Sequence, residues 1–375
     1  MRVKTLGCAQ EDRDARPDDA HLVFWIGRAS DVGTKQTSEH LRERFPAAQI
    51  VAVSSSGGVL REVTADDAAV LAVIRFQDAR VQAVEARITA GDDFHRLGAD
   101  LAGRLNGDDL RAVCLMPATQ MTQGGFAASA IVAGFARAAP AGVVLFGANA
   151  GGGGGNLTPC VGLNRPAREN TVVAVGFYGS NLQVSSKTGL GYRRIGPVRR
   201  ITRAEGNVIY EFDGKPALDL YLSYAGMSET TFDPMKSRFA FFVNRSDGAA
   251  PLQAVIRIDR AQRSLCFLDQ VSTGALAQLC YSSIDGLIDA AADAARAALD
   301  DVAATGDRFA FVANCAIRQR VLGQQARDEV DAIWKELAGV PSVGFFSFGE
   351  IGRNAPDEPA TLMNQAVAIT VLGER

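Results

Sequence analysis

The chain has 375 residues, 47% of them hydrophobic, and its 39 Lys and Arg against 42 Asp and Glu leave a formal net charge of -3. That length predicts two or three domains with substantial cores. The balanced charge argues against nucleic acid as a partner, since phosphate binding needs a basic surface, and no apolar run reaches the roughly 20 residues that cross a bilayer, so no membrane partner is expected.

The opening stretch "MRVKTLGCAQEDRDARPDD" turns acidic and polar before an apolar core forms; no signal peptide is expected, and the cytoplasm is the expected compartment. The first predicted strand is Leu22 to Ile26. A helix from Thr37 to Phe45 sets Leu41 and Phe45 four apart on one face, and a strand at Ile50 to Val53 follows. After "SSSGG", the apolar stretches Val59 to Val63, Ala69 to Phe76 and Val81 to Ile88 have the lengths of an antiparallel meander. A helix from Asp92 to Leu105 leads to a second set, with strand Leu110 to Leu115, helix Gly125 to Ala138 and strand Val143 to Phe146, ending at "GANAGGGGG". Thr171 to Tyr178 and Asn181 to Ser186 read as strands turning at "YGSN", an echo of the first meander.

A basic stretch, "GYRRIGPVRRITRAEG", leads into a short strand, a turn at Asp213 and Gly214, and a helix opening near Pro216, where the amide that proline lacks would be unpaired anyway. The domain boundary is placed between residues 190 and 215. Strands are expected in "RFAFFVN", "PLQAVIRID" and "RSLCFLD", then a long helix through "IDGLIDAAADAARAALDDVAA", whose alanines favour helix and close packing. A third set closes the chain: strand Phe309 to Val312, helix Ala326 to Leu337 and strand Ser342 to Phe346, feeding "SFGEIG". A last strand, Ala366 to Leu372, is expected beside it.

Strand, helix, strand and glycine-bearing corner are thus written three times. The pattern predicts an α/β fold of mixed sheets, with repeated units in two domains and corners set around shared clefts. Cys8, Cys114, Cys160, Cys266, Cys280 and Cys315 lack any close metal-ligand spacing and read mostly as buried thiols.

The segments "RITRAEGNVIYEFDGKPALDLYLSY", "FVANCAIRQRVLG", "DEVDAIWKELAGVPSVGFFSFGEIG" and "MNQAVAITVL" together resemble the FIST family of sensory proteins. The resemblance covers nearly the whole chain, with an N-terminal FIST domain over 20–215 and a C-terminal FIST domain over 216–375. It implies a small-molecule-binding signal-transduction protein that reports ligand state to a separate partner, a histidine kinase or another signalling protein. The implied ligand is small and polar, such as an amino acid. Some members resemble haem-dependent nitric oxide sensors that regulate partner kinases, so haem is the alternative; otherwise no cofactor is expected. Family members tend to carry a "TAGEI"-like sequence at the first corner, where this chain has "SSGGVL" from Ser55 to Leu60 and lacks the carboxylate.

Glu350 follows Gly349 at the end of an apolar strand, where parallel α/β sheets bind ligands; it can accept hydrogen bonds from a ligand amine or from Arg318. Arg318, read as lying in a loop after a strand, has a planar fork that can hold a ligand carboxylate or close an internal ion pair with Glu350. Cys315 becomes reactive if that cation lowers its pKa. No histidine stands near it in sequence as a base, so a thiol-dependent enzyme is the lesser alternative and no catalytic residue is assigned.

Asn314 and Ser347 belong to the same two motifs, and Asn149 stands at the mouth of the glycine run; these complete the candidate ligand-binding set. The run itself lacks a P-loop's lysine and serine and reads as a lid or inter-domain loop. The serines of "VSSSGG" read as turn formers. His21 and His40 have structural explanations, and His95 in "GDDFHRLG" is the candidate haem ligand.

Overall fold

The computed structural model describes residues 1–7, 19–57, 59–60, 69–122, 125–152, 158–226, 229–230, 232–244, 250–303, 307–337, 339–353 and 358–375. Cys8, Gly58 and most of the 151–155 glycine run lie outside them. The chain begins with β1 (Arg2–Gly7), β2 (Leu22–Gly27), α1 (Ala29–Val32), α2 (Lys35–Arg44), β3 (Gln49–Ser54), β4 (Val59–Leu60), β5 (Ala69–Arg75) and β6 (Arg80–Arg87). A second run holds α3 (Phe94–Arg104), β7 (Leu110–Ala118), β8 (Met121–Thr122), β9 (Gly125–Phe126), α4 (Ala127–Ala138), β10 (Val144–Ala148), β11 (Val161–Leu163), β12 (Thr171–Tyr178) and β13 (Leu182–Gly189).

Next come β14 (Arg193–Glu205), β15 (Val208–Phe212), β16 (Lys215–Pro216), α5 (Ala217–Ala225), β17 (Phe239–Val243), β18 (Leu252–Gln253), β19 (Val255–Asp259), β20 (Ser264–Phe267) and β21 (Leu276–Tyr281). The last run is α6 (Ile284–Asp300), β22 (Arg308–Cys315), α7 (Ala316–Leu322), α8 (Ala326–Glu336), β23 (Ser342–Ser347), β24 (Glu350–Gly352), β25 (Thr361–Met363) and β26 (Val367–Glu374).

The three sequence copies build three sheets of one design. Their orders are β1-β5-β2-β3-β11, β6-β12-β7-β10-β24 and β13-β26-β22-β23-β4, with β25 added beyond β24. In each, the third and fourth strands pair in parallel and all other neighbours are antiparallel. β6 and β13 leave their own copy to become the first strands of the next sheets, whereas β1 is the element before β2 in the chain; β4, β11 and β24 each complete a neighbour's sheet as its fifth strand.

This exchange accounts for the strands that are buried on both faces, such as β2 and β12. Alternate side chains point inward to one shared core, where Phe24, Phe146 and Phe311, one from each sheet, meet with ring centroids 5.2 and 5.9 Å apart. The outward residues pack under helices: Val23 and Trp25 meet Leu41 and Phe45, and Val312 and Ile369 meet Ala291, Ala295 and Ile333. Burying each large apolar side chain contributes about 1.5–3 kcal/mol.

Residues 193–281 form a separate eight-stranded sheet, β18-β17-β21-β14-β15-β20-β19 with β16 beside β15, around its own core of Ile201, Phe212, Tyr221, Phe241 and Phe267. It is inserted between β13 and α6. The chain leaves the three-sheet assembly at the N-terminal edge of the expected boundary, but the residues after 216 do not close on themselves, because β22, β23 and β26 share a sheet with β13 and β4.

Several local expectations are corrected. The stretches at 59–63, 69–76 and 81–88 are not a meander: β4, β5 and β6 belong to three different sheets. The strands on either side of "YGSN" likewise part, β12 to one sheet and β13 to another. The last strand lies between β22 and β13, not beside β23, and the basic stretch is itself a strand, β14. Among the described residues no helix is long and apolar enough to cross a membrane.

Candidate functional site

The three corners converge and close a ring of backbone hydrogen bonds. The Ser56 amide donates to Phe346 O at 2.8 Å, Phe348 to Asn149 O at 3.0 Å, and Gly151 to Ser54 O at 2.9 Å. Gly151 is required there, since a Cβ would lie 2.2 Å from Phe346 O. Asn149, fully buried, pins the second corner: its carboxamide accepts from the Thr119 amide and hydroxyl and donates to Thr119 O. The expected clefts between corners are thus replaced by direct contact, because small residues let the backbones meet.

Behind the third corner lies a buried polar cluster. Arg318 sits in α7, not in a loop, and its guanidinium is fully buried. Nε donates to Glu329 at 2.6 Å, while the terminal nitrogens bond the carbonyls of Gly189, Leu190, Leu287 and Gln365. The ion pair weighed for Arg318 therefore forms with Glu329 of α8, not with Glu350. Asn314 Nδ2 donates to the other oxygen of Glu329 at 2.8 Å.

Glu350, also fully buried, accepts from Ser347 Oγ at 2.5 Å and from the Ala366 amide at 3.3 Å. Burial pushes its carboxyl up to about 8, against the opposing hydrogen bonds from Ser347 and Ala366 and the charge of Arg318. Cys315 caps α7 and accepts from the Gln365 amide at 3.3 Å. Burial first, then the negative field of Glu350, raises its thiol, so it is held protonated rather than activated by a cation. Asn314 Oδ1 and Gln365 Oε1 are buried acceptors with no hydrogen-bond partner among the described residues, each able to receive a donor.

A cleft of about 610 Å³ opens on the other side of these segments. One wall is β13 with Ser185, Ser186, Lys187 and Thr188, continuing into Gly189 and Leu190, whose carbonyls Arg318 holds. Another is the alanine stripe of α6 with Asp293, and Gly352 and Arg353 at the end of β24 also line it. Lys187 pairs with Asp301 at 2.5 Å, and that contact, with the Ser185 hydroxyl, holds the Asp301 carboxyl below its usual range.

The structure thus brings Arg318, Asn314, Cys315, Ser347 and Glu350 into one buried cluster, keeps Asn149 at the neighbouring corner, and gives none of the six a described place on the cleft surface. His95 is exposed on the first turn of α3 and does not line the cleft, so it does not fit as a haem ligand there, and among the described residues no group of three or more His, Cys, Asp and Glu could hold a metal ion.

Sequence reasoning missed Glu329 and the hydroxyl-rich wall. Glu329, Ile333 and Leu337 fall at i, i+4 and i+8, so a carboxylate on a buried helical stripe was the available signal.

No curated protein matches the chain. The FIST N domain matches residues 20–215 and the FIST C domain residues 217–353. With both domains present in order and most of the three-sheet assembly inside them, the chain belongs to the FIST family, whose domains are sensory modules.

Proposed function

We propose that the protein binds a small polar molecule, such as an amino acid, in the cleft between β13 and α6 and passes its ligand state to a separate signalling partner. One observation carries this reading: the cleft walls are the segments anchored by the two sequence motifs, Gly189–Leu190 by Arg318 and the Gly352 end of β24 by Glu350. The volume suits a small ligand, and Lys187, held against Asp301, and Asp293, held against Arg296, bring charges of both signs to the walls, which a zwitterion can engage by exchanging these pairs. In this reading Arg318, Glu350, Cys315, Ser347, Asn149 and Asn314 position the walls. Signalling follows only if the ligand favours one arrangement of those walls, shifting the population that a partner such as a histidine kinase meets.

Thermal-shift and calorimetric titration against the standard amino acids and small polar acids tests it. A specific ligand should raise Tm by a few degrees at about 100 times its Kd, and Lys187→Ala should weaken it. Absence of any stabilising compound, or binding indifferent to Lys187→Ala and to filling the cleft, would sink the proposal.

A further inference from the structure

The outer face of the inserted sheet is covered towards β17, where Ala240, Phe242, Leu252 and Cys280 are buried with Leu190 and Tyr192, and is open among the described residues where β14 and β21 carry Val198 and Leu276. Val198 and Leu276 are the exposed large apolar residues among those described, at 55% and 39%. They share this face: β14 pairs with β21 so that Val198 lies opposite Gln278 and Arg200 opposite Leu276, while Ile201 points the other way into the core.

Arginines frame the patch. Arg199 and Arg203 are paired with Asp213 and Glu211, but Arg193, Arg194 and Arg200 have no ion pair among the described residues, and Arg194 stacks on Phe242 at 4.1 Å. The complementary surface stands on the same chain. Asp285, Asp289 and Asp300 of α6 are exposed, unpaired among the described residues, and fall within about 60° of one another around the helix; Arg296, on the same stripe, is neutralised by Asp293 and Glu336, which leaves the stripe acidic. β21 runs from Leu276 to Tyr281, with Arg193 of β14 opposite Tyr281, and Ser282 and Ser283 lead from it into α6, so the patch and the start of the acidic helix are separated by the length of β21, roughly 17 Å. A two-fold dimer requires both within one footprint.

We propose that the Val198–Arg200–Leu276 face of β14 and β21 docks on the Asp285–Asp289–Asp300 face of α6 in a second copy of the chain, reciprocally across a two-fold axis. The apolar pair supplies desolvated contact, and the opposed charges fix orientation and exclude the face-to-face alternative, in which arginines would meet arginines. Asp293 places the same helix on the ligand cleft, so the docked copy lies beside that cleft. The inference stands independently of the ligand reading.

Sedimentation velocity of the full chain tests it without any ligand. Wild type should form a reversible dimer that weakens as salt rises from about 0.05 to about 0.5 M, since exposed charges are screened. Arg200→Glu and Asp289→Arg, both at exposed positions, should each weaken self-association at least about tenfold. An equimolar mixture of the two variants should recover the dimer. In the mixed pair one of the two equivalent contacts joins the two substituted side chains with their charges exchanged, and the other keeps the native Arg200 against the native Asp289. A folding defect cannot produce that recovery. A monomer at every concentration, a dimer indifferent to both reversals, or a mixture that fails to associate would each overturn the proposal.

Discussion

Arg318 and Glu350 hold opposite ends of one peptide unit. The Gln365 carbonyl accepts from Arg318 at 3.1 Å, and the Ala366 amide beside it donates to Glu350 at 3.3 Å. The guanidinium also grips Gly189 and Leu190, where the chain departs for the inserted sheet, and Leu287, just after its return. One buried cation therefore fixes both crossings between the two sheet systems, and the Gln365–Ala366 unit ties them to the third corner.

The raised carboxyl of Glu350 gives a pH prediction. Because its folded value of about 8 exceeds its ordinary 4.5, the folded state binds the extra proton between them and loses stability as pH rises through that window. The loss is on the order of 1 kcal/mol per pH unit. Urea denaturation of wild type and Glu350→Gln should show the wild type losing ground from pH 5 to 8, with no further change above. A difference independent of pH would refute the assignment.

Removing one member of the Arg318–Glu329 pair leaves the other charge buried. Glu329→Ala should destabilise by about 3–5 kcal/mol in chemical denaturation. Glu336→Ala, which breaks the exposed pair with Arg296, should have a far smaller effect. Equal losses would place the structural weight elsewhere.

The corner ring predicts a glycine contrast. Gly151→Ala forces a Cβ to 2.4 Å from the Ser56 nitrogen and should cost about 1–3 kcal/mol. Gly103→Ala, exposed in α3 with open space around it, should instead stabilise by up to about 1 kcal/mol. Thermal melts of the two variants read the difference, and a harmless Gly151→Ala would mean that the ring can open.

Neighbouring alanines of α6 separate ligand binding from stability. Ala297 lines the cleft, whereas Ala298 is fully buried in the core under the helix. Ala297→Trp should abolish ligand binding with little change in Tm. Ala298→Trp should overpack the core and destabilise by about 1–3 kcal/mol. Retained binding in a folded Ala297→Trp protein would remove the cleft from consideration.

The sequence by itself determined most strand and helix positions and the family, because apolar periodicity and short motifs are local properties of the chain. Leu41 and Phe45 went to a helix's buried face as their spacing required. Tertiary structure decided which strands became neighbours: β4, β5 and β6 follow one another and enter three sheets, since each apolar strand must be covered on both faces and only the other copies can cover it. It also decided the partner of Arg318. Proximity in sequence motifs suggested Glu350, but a buried guanidinium takes the carboxylate that helix packing delivers, and α8 delivers Glu329.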